Sequence, residues 1–170
     1  MKNTNVKIDL DDKLVKYVED KVNKNIDNDI NQIVYLLLDH EKIYIDNVSV
    51  SIQVLSEEEI RNINKEYRGI DKSTDVLSFP IFEKQELDML KQEKNNDKVI
   101  KELELGDIFI CLEVVEEHAK EYETGIVREV LYMITHGMCH LLGYDHIEEE
   151  DKKVMRQIEE EILNKIGVVK

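Results

Sequence analysis

The sequence predicts an α+β fold: a single layer of small mixed β-sheet with about four strands, packed with about five to six helices. Strand-like and helix-like patterns follow one another along the chain in mixed order, which is typical of one sheet with helices around it. One proline and six glycines in 170 residues disfavour a turn-rich sandwich and favour helices. A chain of this length typically forms one domain, which we expect to span residues 1–170.

The first part of the chain alternates between strand and helix patterns. Residues 4–10 alternate apolar and polar positions, which predicts a short strand. Apolar residues then recur at helical spacing as far as Val22, and residues 24–31 indicate a break with a new helix cap at Asn28 or Asp29. The next helix is predicted by five aliphatic residues at helical spacing: Ile30, Ile33, Val34, Leu37 and Leu38.

The middle of the chain contains two strands and one capped helix. Residues 48–55 are β-branched and alternating, which predicts a strand. Ser56 followed three residues later by Glu59 is a capping box, so a helix should begin directly after that strand. Residues 75–79 form a short apolar run before the single proline and predict a buried strand. Residues 83–103 are highly charged, and we expect a mobile, partly helical excursion that carries no chemistry.

The C-terminal part has the most regular patterns. Residues 103–111 predict a strand, and a helix is predicted from Glu113 to Tyr122. A long helix should run from Ile126 to Leu142 and end at Gly143, because glycine readily adopts the left-handed conformation that closes a helix. A last amphipathic helix is predicted from about Glu148 to Ile166.

The charge balance is strongly acidic, with 23 Lys and Arg against 38 Asp and Glu and a net charge of −15. This balance favours solubility and disfavours broad, non-specific binding to nucleic acid, so DNA is not an expected partner. No apolar run approaches the roughly 20 residues of a membrane helix, and the N-terminus lacks the pattern of a signal peptide. We therefore expect a cytoplasmic protein without a membrane partner, in which Cys111 and Cys139 are reduced thiols.

Three of the five histidines lie within eleven positions: His136, His140 and His146. The first two are four residues apart on a predicted helix, so their rings project from one face. The turn at Gly143 lets the chain double back and bring His146 beside them. Three imidazoles with an open fourth position are the ligand set of a catalytic zinc site. The sequence thus predicts one Zn²⁺ per chain at the end of this helix, although nickel, copper and iron also suit imidazole ligands.

Other side chains near this motif have simpler interpretations. Cys139 lies about 100° from His140 around the helix, and we interpret it as a packed, inert thiol. Asp145 either orients an imidazole or caps the turn, and the sequence leaves both open. His118 and His40 stand alone on other predicted helices, and we interpret both as structural or exposed.

The spacing His-x3-His-x5-His, with Gly143 between the last two histidines, is also the metzincin protease pattern. Those enzymes carry a glutamate directly after the first histidine as the general base, whereas this chain has Gly137 there. The predicted metal site is unaffected, but peptide hydrolysis lacks its proton acceptor. A metzincin-like metalloprotease or another metal hydrolase stays open as an alternative function.

A second candidate constellation is basic. Arg61, Lys65, Arg68 and Lys72 are spaced by four, three and four residues, and the first three share one face of the predicted helix. Residues 61–80 hold four basic and three acidic side chains, within a chain of net charge −15. Such a stripe could contact phosphate groups at this one place, and the alternative is an ordinary solvated helix face.

Three segments together resemble a known family: residues 63–80 (INKEYRGIDKSTDVLSFP), residues 105–111 (LGDIFIC) and residues 136–146 (HGMCHLLGYDH). In their order, spacing and residue identities, these segments are similar to the YbeY endoribonuclease family, also called the ribosomal RNA maturation factor family. The similarity covers roughly residues 48–165. The N-terminal part of the chain and residues 83–103 match no motif of the family.

The resemblance implies an α+β fold and a metal-dependent endoribonuclease specific for single-stranded RNA. It implies a role in three-prime end processing of small-subunit ribosomal RNA and in ribosome quality control. The family's zinc-binding histidines correspond to His136, His140 and His146, and its functional arginine corresponds to Arg68. The other basic residues of the stripe are then candidate RNA contacts: Arg61, Lys65 and Lys72.

The acidic charge bears on the expected partners. A chain of net charge −15 should bind naked RNA weakly and with strong salt dependence. We therefore expect recruitment by the ribosome or by a ribosomal protein whose basic surface meets the acidic one. A non-catalytic ribosome assembly factor with a structural metal is a further alternative.

Overall fold

The computed structural model describes residues 4–92 and 101–169, and these two stretches form an α+β fold with seven helices and four strands. In chain order the elements are β1 (Asn5–Leu10), α1 (Asp12–Val22), α2 (Asp27–His40), β2 (Asn47–Val54), α3 (Glu57–Arg68), β3 (Val76–Pro80), α4 (Lys84–Gln92), β4 (Glu102–Ile110), α5 (Leu112–Glu121), α6 (Ile126–Leu141) and α7 (Glu149–Lys165).

The four strands form one mixed sheet in the order β1-β2-β4-β3. The pairs β1–β2 and β2–β4 are parallel, whereas β3 runs antiparallel to β4 and forms one edge of the sheet. The predicted single-layer mixed sheet of about four strands is thereby confirmed. Leu77 of β3 lies opposite Phe109 of β4, which sets the register of the edge strand.

A bulge in β4 requires a glycine. Between Ser49 and Ser51 of β2, the partner residues on β4 advance from Glu104 to Asp107, so β4 carries one extra residue there. Gly106 sits in this bulge with φ +136°, and a Cβ on it would lie 2.2 Å from the carbonyl oxygen of Phe79. Only glycine allows the edge strand to approach this closely.

Helix α6 is the central helix of the fold. It packs against β3 and β4 on one side and against α2, α5 and α7 on others. Ten of its residues are buried, including the polar Glu129 in its first turn and Thr135 in its second half. The sequence predicts an apolar stripe with a polar face, and the structure instead buries this helix on most sides. The histidines therefore project into a gap between packed elements.

The core has two parts, one on each face of the sheet. The larger part joins α1, α2, α6 and α7 to the apolar side chains of β2 and β4. The smaller part lies under α3 and α5, where Ile60 packs with Leu77, Cys111 and Val114. Along the described stretches, the helices all lack the combination of length and apolar character needed to cross a membrane.

The structure differs from the sequence prediction in two places. The described stretches hold seven helices against about five to six expected, and α4 is the additional one, within the charged stretch 83–103. Residues 93–100 of that stretch lie outside the described residues. The cap predicted at Asn28 or Asp29 is wrong, because α2 already begins at Asp27, whose N–H donates to Asn25 Oδ1 at 2.9 Å. The capping box of Ser56 and Glu59 is confirmed.

We expect Gly106→Ala to destabilise the protein by more than about 2 kcal/mol, because the new Cβ would combine a strained backbone with a clash against β3. Gly167→Ala is the matched control, since Gly167 also has a positive φ of +79° but nothing lies within 4 Å of its Cβ position. The free energy of unfolding from urea titrations checks both. Equal losses for the two variants would contradict the close approach at the bulge.

Candidate active site

His136 and His140 lie one turn apart on α6 and face the same gap. Their Nε2 atoms are 3.1 Å apart and their ring centroids 4.7 Å apart. His136 is near the middle of a buried helix, so its side chain is only 20% exposed. The fold therefore holds two imidazole nitrogens in contact distance at a partly enclosed position.

The turn after α6 brings the third histidine to the pair. The N–H of Gly143 donates to the carbonyl of His140 and that of Tyr144 to the carbonyl of Cys139, both at 3.0 Å. Gly143 has φ +92°, which supplies the reversal that the sequence predicted. The ring of His146 then lies 5.4 Å from that of His136 and 5.0 Å from that of His140, between centroids. The three candidate ligand atoms all lie within 4.8 Å of one another.

Hydrogen bonds at the other ring nitrogens define which nitrogen carries the proton. His140 Nδ1 donates to the carbonyl oxygen of Tyr144 at 2.9 Å, and His136 Nδ1 donates to Glu159 Oε1 at 2.7 Å. Both acceptors require Nδ1–H, so in the neutral rings the two facing Nε2 atoms carry lone pairs. Burial, followed by the neighbouring His136 and His146, lowers the pKa of His140 to about 4. Two unprotonated imidazole nitrogens directed at one point are suited to a divalent cation.

Glu159 is a functional candidate that sequence reasoning missed. It lies on α7, is buried to 3% side-chain exposure, and its carboxylate holds the proton on His136 Nδ1. A carboxylate behind a metal-binding histidine orients the ring and raises its basicity. Its sequence signal is an acidic residue inside the buried stripe of α7, flanked by Met155, Ile158 and Ile162.

An open cleft of about 1020 Å³ contains the three histidines and the end of α3. Arg68, the last residue of α3, lines this cleft and is exposed. Gly69 ends the helix in the left-handed conformation, so Arg68 lies in the last turn of α3 at the rim of the cleft. Within residues 4–92 and 101–169, no carboxylate lies within ion-pair distance of its guanidinium. The structure thus brings Arg68 and the three histidines to one cleft.

The remaining basic candidates lie elsewhere. Arg61 Nε contacts Asp71 Oδ1 at 2.8 Å, and Lys65 Nζ lies 3.6 Å from the other oxygen of the same carboxylate. Both line a separate shallow groove beside Asp71. Lys72 is exposed, and its carbonyl accepts from Asn64 Nδ2 at 2.9 Å. Arg61, Lys65 and Lys72 therefore stay predicted RNA contacts without a place in the histidine cleft.

The other candidates of the sequence take structural positions. Cys139 is fully buried, and burial raises the pKa of its thiol well above the usual range, which fits an inert side chain. Asp145 Oδ1 accepts from the N–H of Ile147 at 3.2 Å, so it caps the turn. His118 and His40 lie outside the cluster, in pairs with Asp75 at 3.2 Å and with Glu41 at 3.1 Å.

Gly137 faces the sheet and not the cleft. A Cβ there would lie 3.0 Å from two carbon atoms of Ile108 and 3.1 Å from Ser78 Oγ. Contacts this short are tighter than nine in ten real Cβ contacts, so a larger residue would require the side chains of Ile108 and Ser78 to shift by a few tenths of an ångström. The close packing of α6 on the sheet therefore favours glycine at the position where a metzincin carries its general base.

The fold and the site together define an α+β protein with a three-histidine candidate metal centre in an open cleft. The sequence model of the family described as Endoribonuclease YbeY matches residues 14–167. An Endoribonuclease YbeY of Clostridium botulinum (strain Kyoto / Type A2) is 42% identical over 154 residues, which is 87% of this chain and 92% of that protein. One of Thermoanaerobacter sp. (strain X514) is 42% identical over 158 residues, 91% of this chain and 97% of that protein. The chain belongs to the endoribonuclease YbeY family.

A solved structure supports the same fold. The solution structure of a protein from Thermotoga maritima superposes with a TM-score of 0.53 at 27% sequence identity. The match covers 95% of this chain and 91% of that one. The resemblance of the three sequence segments is thus confirmed over most of the chain, including the N-terminal part from residue 14 that no quoted motif covered.

We expect Glu159→Gln to raise the dissociation constant for zinc by about 10- to 100-fold, because the neutral amide no longer holds the Nδ1 proton of His136 with a charge. Competition against a chromophoric chelator measures the constant. Glu160→Gln is the matched control, since Glu160 is the next residue of α7 and pairs with Arg128 outside the cluster.

Two results would contradict this arrangement. Equal zinc affinities for Glu159→Gln and Glu160→Gln would remove the orienting role of Glu159. Full zinc stoichiometry in a His136→Ala/His140→Ala double variant would show that the metal binds somewhere else.

Proposed function

We propose that this chain, as a whole, is a metal-dependent endoribonuclease that cuts single-stranded RNA in ribosomal RNA maturation. Its proposed step is three-prime end processing of small-subunit ribosomal RNA, with a further role in ribosome quality control. The observation that carries the proposal is the convergence of two unprotonated imidazole nitrogens and Arg68 on one cleft, in a member of the endoribonuclease YbeY family.

His136, His140 and His146 would hold one divalent cation, for which we propose Zn²⁺. Imidazole nitrogens suit zinc, and nickel, copper or iron are the alternatives that a metal analysis would separate. When bound, the cation supplies Lewis-acid polarisation at the phosphodiester. Glu159 and the carbonyl of Tyr144 keep the two Nδ1 protons in place, so that both Nε2 lone pairs stay directed at the cation.

Arg68 would act on the phosphate itself. Its guanidinium is exposed at the rim of the cleft and offers planar, bidentate donors to two phosphoryl oxygens. Negative charge builds on those oxygens in the transition state, and a donor placed there beforehand lowers the barrier. The cleft is open and has a volume of about 1020 Å³, which leaves room for a segment of RNA.

The protein partner follows from charge. With a net charge of −15, the chain needs a source of affinity for RNA beyond Arg68. We therefore propose recruitment through the ribosome or a basic ribosomal protein. We propose that it acts in the cytoplasm, without a membrane or DNA partner.

Cleavage assays separate the proposal from its two alternatives. We expect zinc-loaded protein to cut single-stranded RNA, to leave double-stranded RNA and casein intact, and to lose activity when a chelator removes the metal. Chelator-sensitive cleavage of casein at a comparable rate would favour a metalloprotease despite Gly137. Metal binding without cleavage of any substrate, ribosomal particles included, would favour a non-catalytic assembly factor.

We expect Arg68→Lys to lower RNA cleavage by two to three decades, about 3–4 kcal/mol of transition-state stabilisation, because an ammonium cannot make two parallel hydrogen bonds to a phosphate. Its melting temperature and zinc content should equal those of the parent, since Arg68 has no ion-pair partner in the described stretches.

The matched control for this prediction is Arg128→Lys. Arg128 donates to the carbonyl of Val168 and to Glu160 outside the cleft, so its replacement should lower stability slightly and leave cleavage unchanged. Cleavage at the parent rate by Arg68→Lys would contradict a role at the phosphate. Arg68 would then be an ordinary solvated residue at the end of a helix.

A further inference from the structure

Helix α4 packs directly on the turn that carries His146. A Cβ on Gly143 would lie 2.6 Å from Lys84 Cβ and 2.8 Å from Lys84 Cα, so the two backbones touch at this point. Lys84 Nζ lies 4.4 Å from the centre of the Tyr144 ring, a cation–π contact. Leu87 is 2% exposed and anchors the helix in the core. Part of the charged segment to which the sequence assigned no chemistry is therefore in contact with the turn that leads to His146.

The side chain of Tyr144 links this turn to a buried carboxylate. Its hydroxyl donates to Glu41, the residue that follows α2. Glu41 is 8% exposed and accepts two more hydrogen bonds, from Lys91 Nζ of α4 at 2.9 Å and from His40 Nδ1 at 3.1 Å. Three chain segments distant in sequence thus meet at one carboxylate: the end of α2, the last turn of α4, and the turn after α6.

The backbone of the same tyrosine reaches the histidine cluster. The carbonyl oxygen of Tyr144 accepts the hydrogen bond from His140 Nδ1 at 2.9 Å, and His146 follows two residues later. Any rotation of this turn changes the acceptor of His140 and the position of His146 together. The placement of two of the three histidines therefore depends on how firmly Tyr144 is held.

We propose that Glu41 and Tyr144 form a positioning pair for the metal centre, which α4 locks in place through Lys91 and Lys84. Neither side chain belongs to the candidate ligand set, and the pair acts by fixing the backbone of the turn. This inference rests on the proposed binding of a metal by the three histidines.

The energetics favour such a lock. A buried carboxylate is stable only when its oxygens are fully hydrogen-bonded, so Glu41 restricts each of its donors to one geometry. Burial alone would raise the pKa of Glu41, but the hydrogen bonds from Tyr144, Lys91 and His40 outweigh it and lower the pKa. The carboxylate is therefore ionised at neutral pH, and charge-assisted hydrogen bonds are about twice as strong as neutral ones.

The test is zinc affinity in Tyr144→Phe, measured by competition with a chromophoric chelator. Loss of the hydroxyl frees the turn, and we expect the dissociation constant to rise about tenfold, at the low end of the effect of partners behind metal ligands. Lys91→Met should change it in the same direction by a smaller factor, because it weakens the lock without touching the turn. Lys91 is partly exposed, with 24% of its side chain accessible, so this variant also covers the case in which Tyr144→Phe folds poorly.

Tyr17→Phe is the matched control. Tyr17 also donates its hydroxyl to a glutamate, Glu116 Oε2 at 2.6 Å, but far from the histidine cluster. It should lower the melting temperature of the metal-free protein about as much as Tyr144→Phe does and leave zinc affinity unchanged. This comparison separates positioning from a general loss of stability.

A double variant, Glu41→Gln/Tyr144→Phe, completes the experiment. The two changes act on one hydrogen bond, so the double variant should bind zinc about as weakly as the weaker single variant. Parent zinc affinity in both Tyr144→Phe and Lys91→Met, or an equal loss in Tyr17→Phe, would overturn the positioning pair alone. A parent protein that binds no divalent metal would overturn the proposed metal dependence as well.

Discussion

The candidate active site depends on one constraint, which is the contact between the lone pairs of His136 Nε2 and His140 Nε2 at 3.1 Å. Two such atoms repel each other unless a positive charge lies between or beside them. Glu159 on one side and the Tyr144 carbonyl on the other hold the two Nδ1 protons and so orient both rings with Nε2 towards this point. These acceptors belong to α7 and to the turn after α6, so the site requires the packing of elements that are distant in sequence.

The same packing decides which chemistry the histidine motif can perform. Helix α6 lies close to the sheet, and a Cβ on Gly137 would lie 3.0 to 3.1 Å from side-chain atoms of Ile108 and Ser78. Within the sheet, the bulge at Gly106 brings the backbones of β4 and β3 into close contact. A larger residue at position 137 would need the side chains of Ile108 and Ser78 to shift by a few tenths of an ångström. Glycine thus suits the close packing of helix and sheet, and the missing base disfavours peptide hydrolysis.

The sequence predicted what depends on local geometry. The i, i+4 spacing of His136 and His140 and the turn at Gly143 follow from the period of the helix and the freedom of glycine. Glu159 could not be assigned in this way, because its partner lies 23 positions away and only the packing of α7 brings them together. The sequence did not predict the role of α4 for a similar reason, because its charged composition resembles that of a solvated segment. The burial of Leu87 and the contact at Gly143 are visible only in three dimensions.

Electrostatics explain why an acidic chain can still act on a polyanion. Among the described residues, the cleft is lined by two basic side chains, Arg68 and Lys84, and by four acidic ones: Asp75, Glu83, Glu86 and Asp145. Arg68 alone therefore leaves the cleft no more attractive to phosphate than the rest of a surface with a net charge of −15. A divalent cation at the three histidines adds the largest single charge in this region and offsets the acidic excess there. In this proposal the metal centre attracts the RNA as well as activating it, so the side chains that position the histidines also control substrate binding.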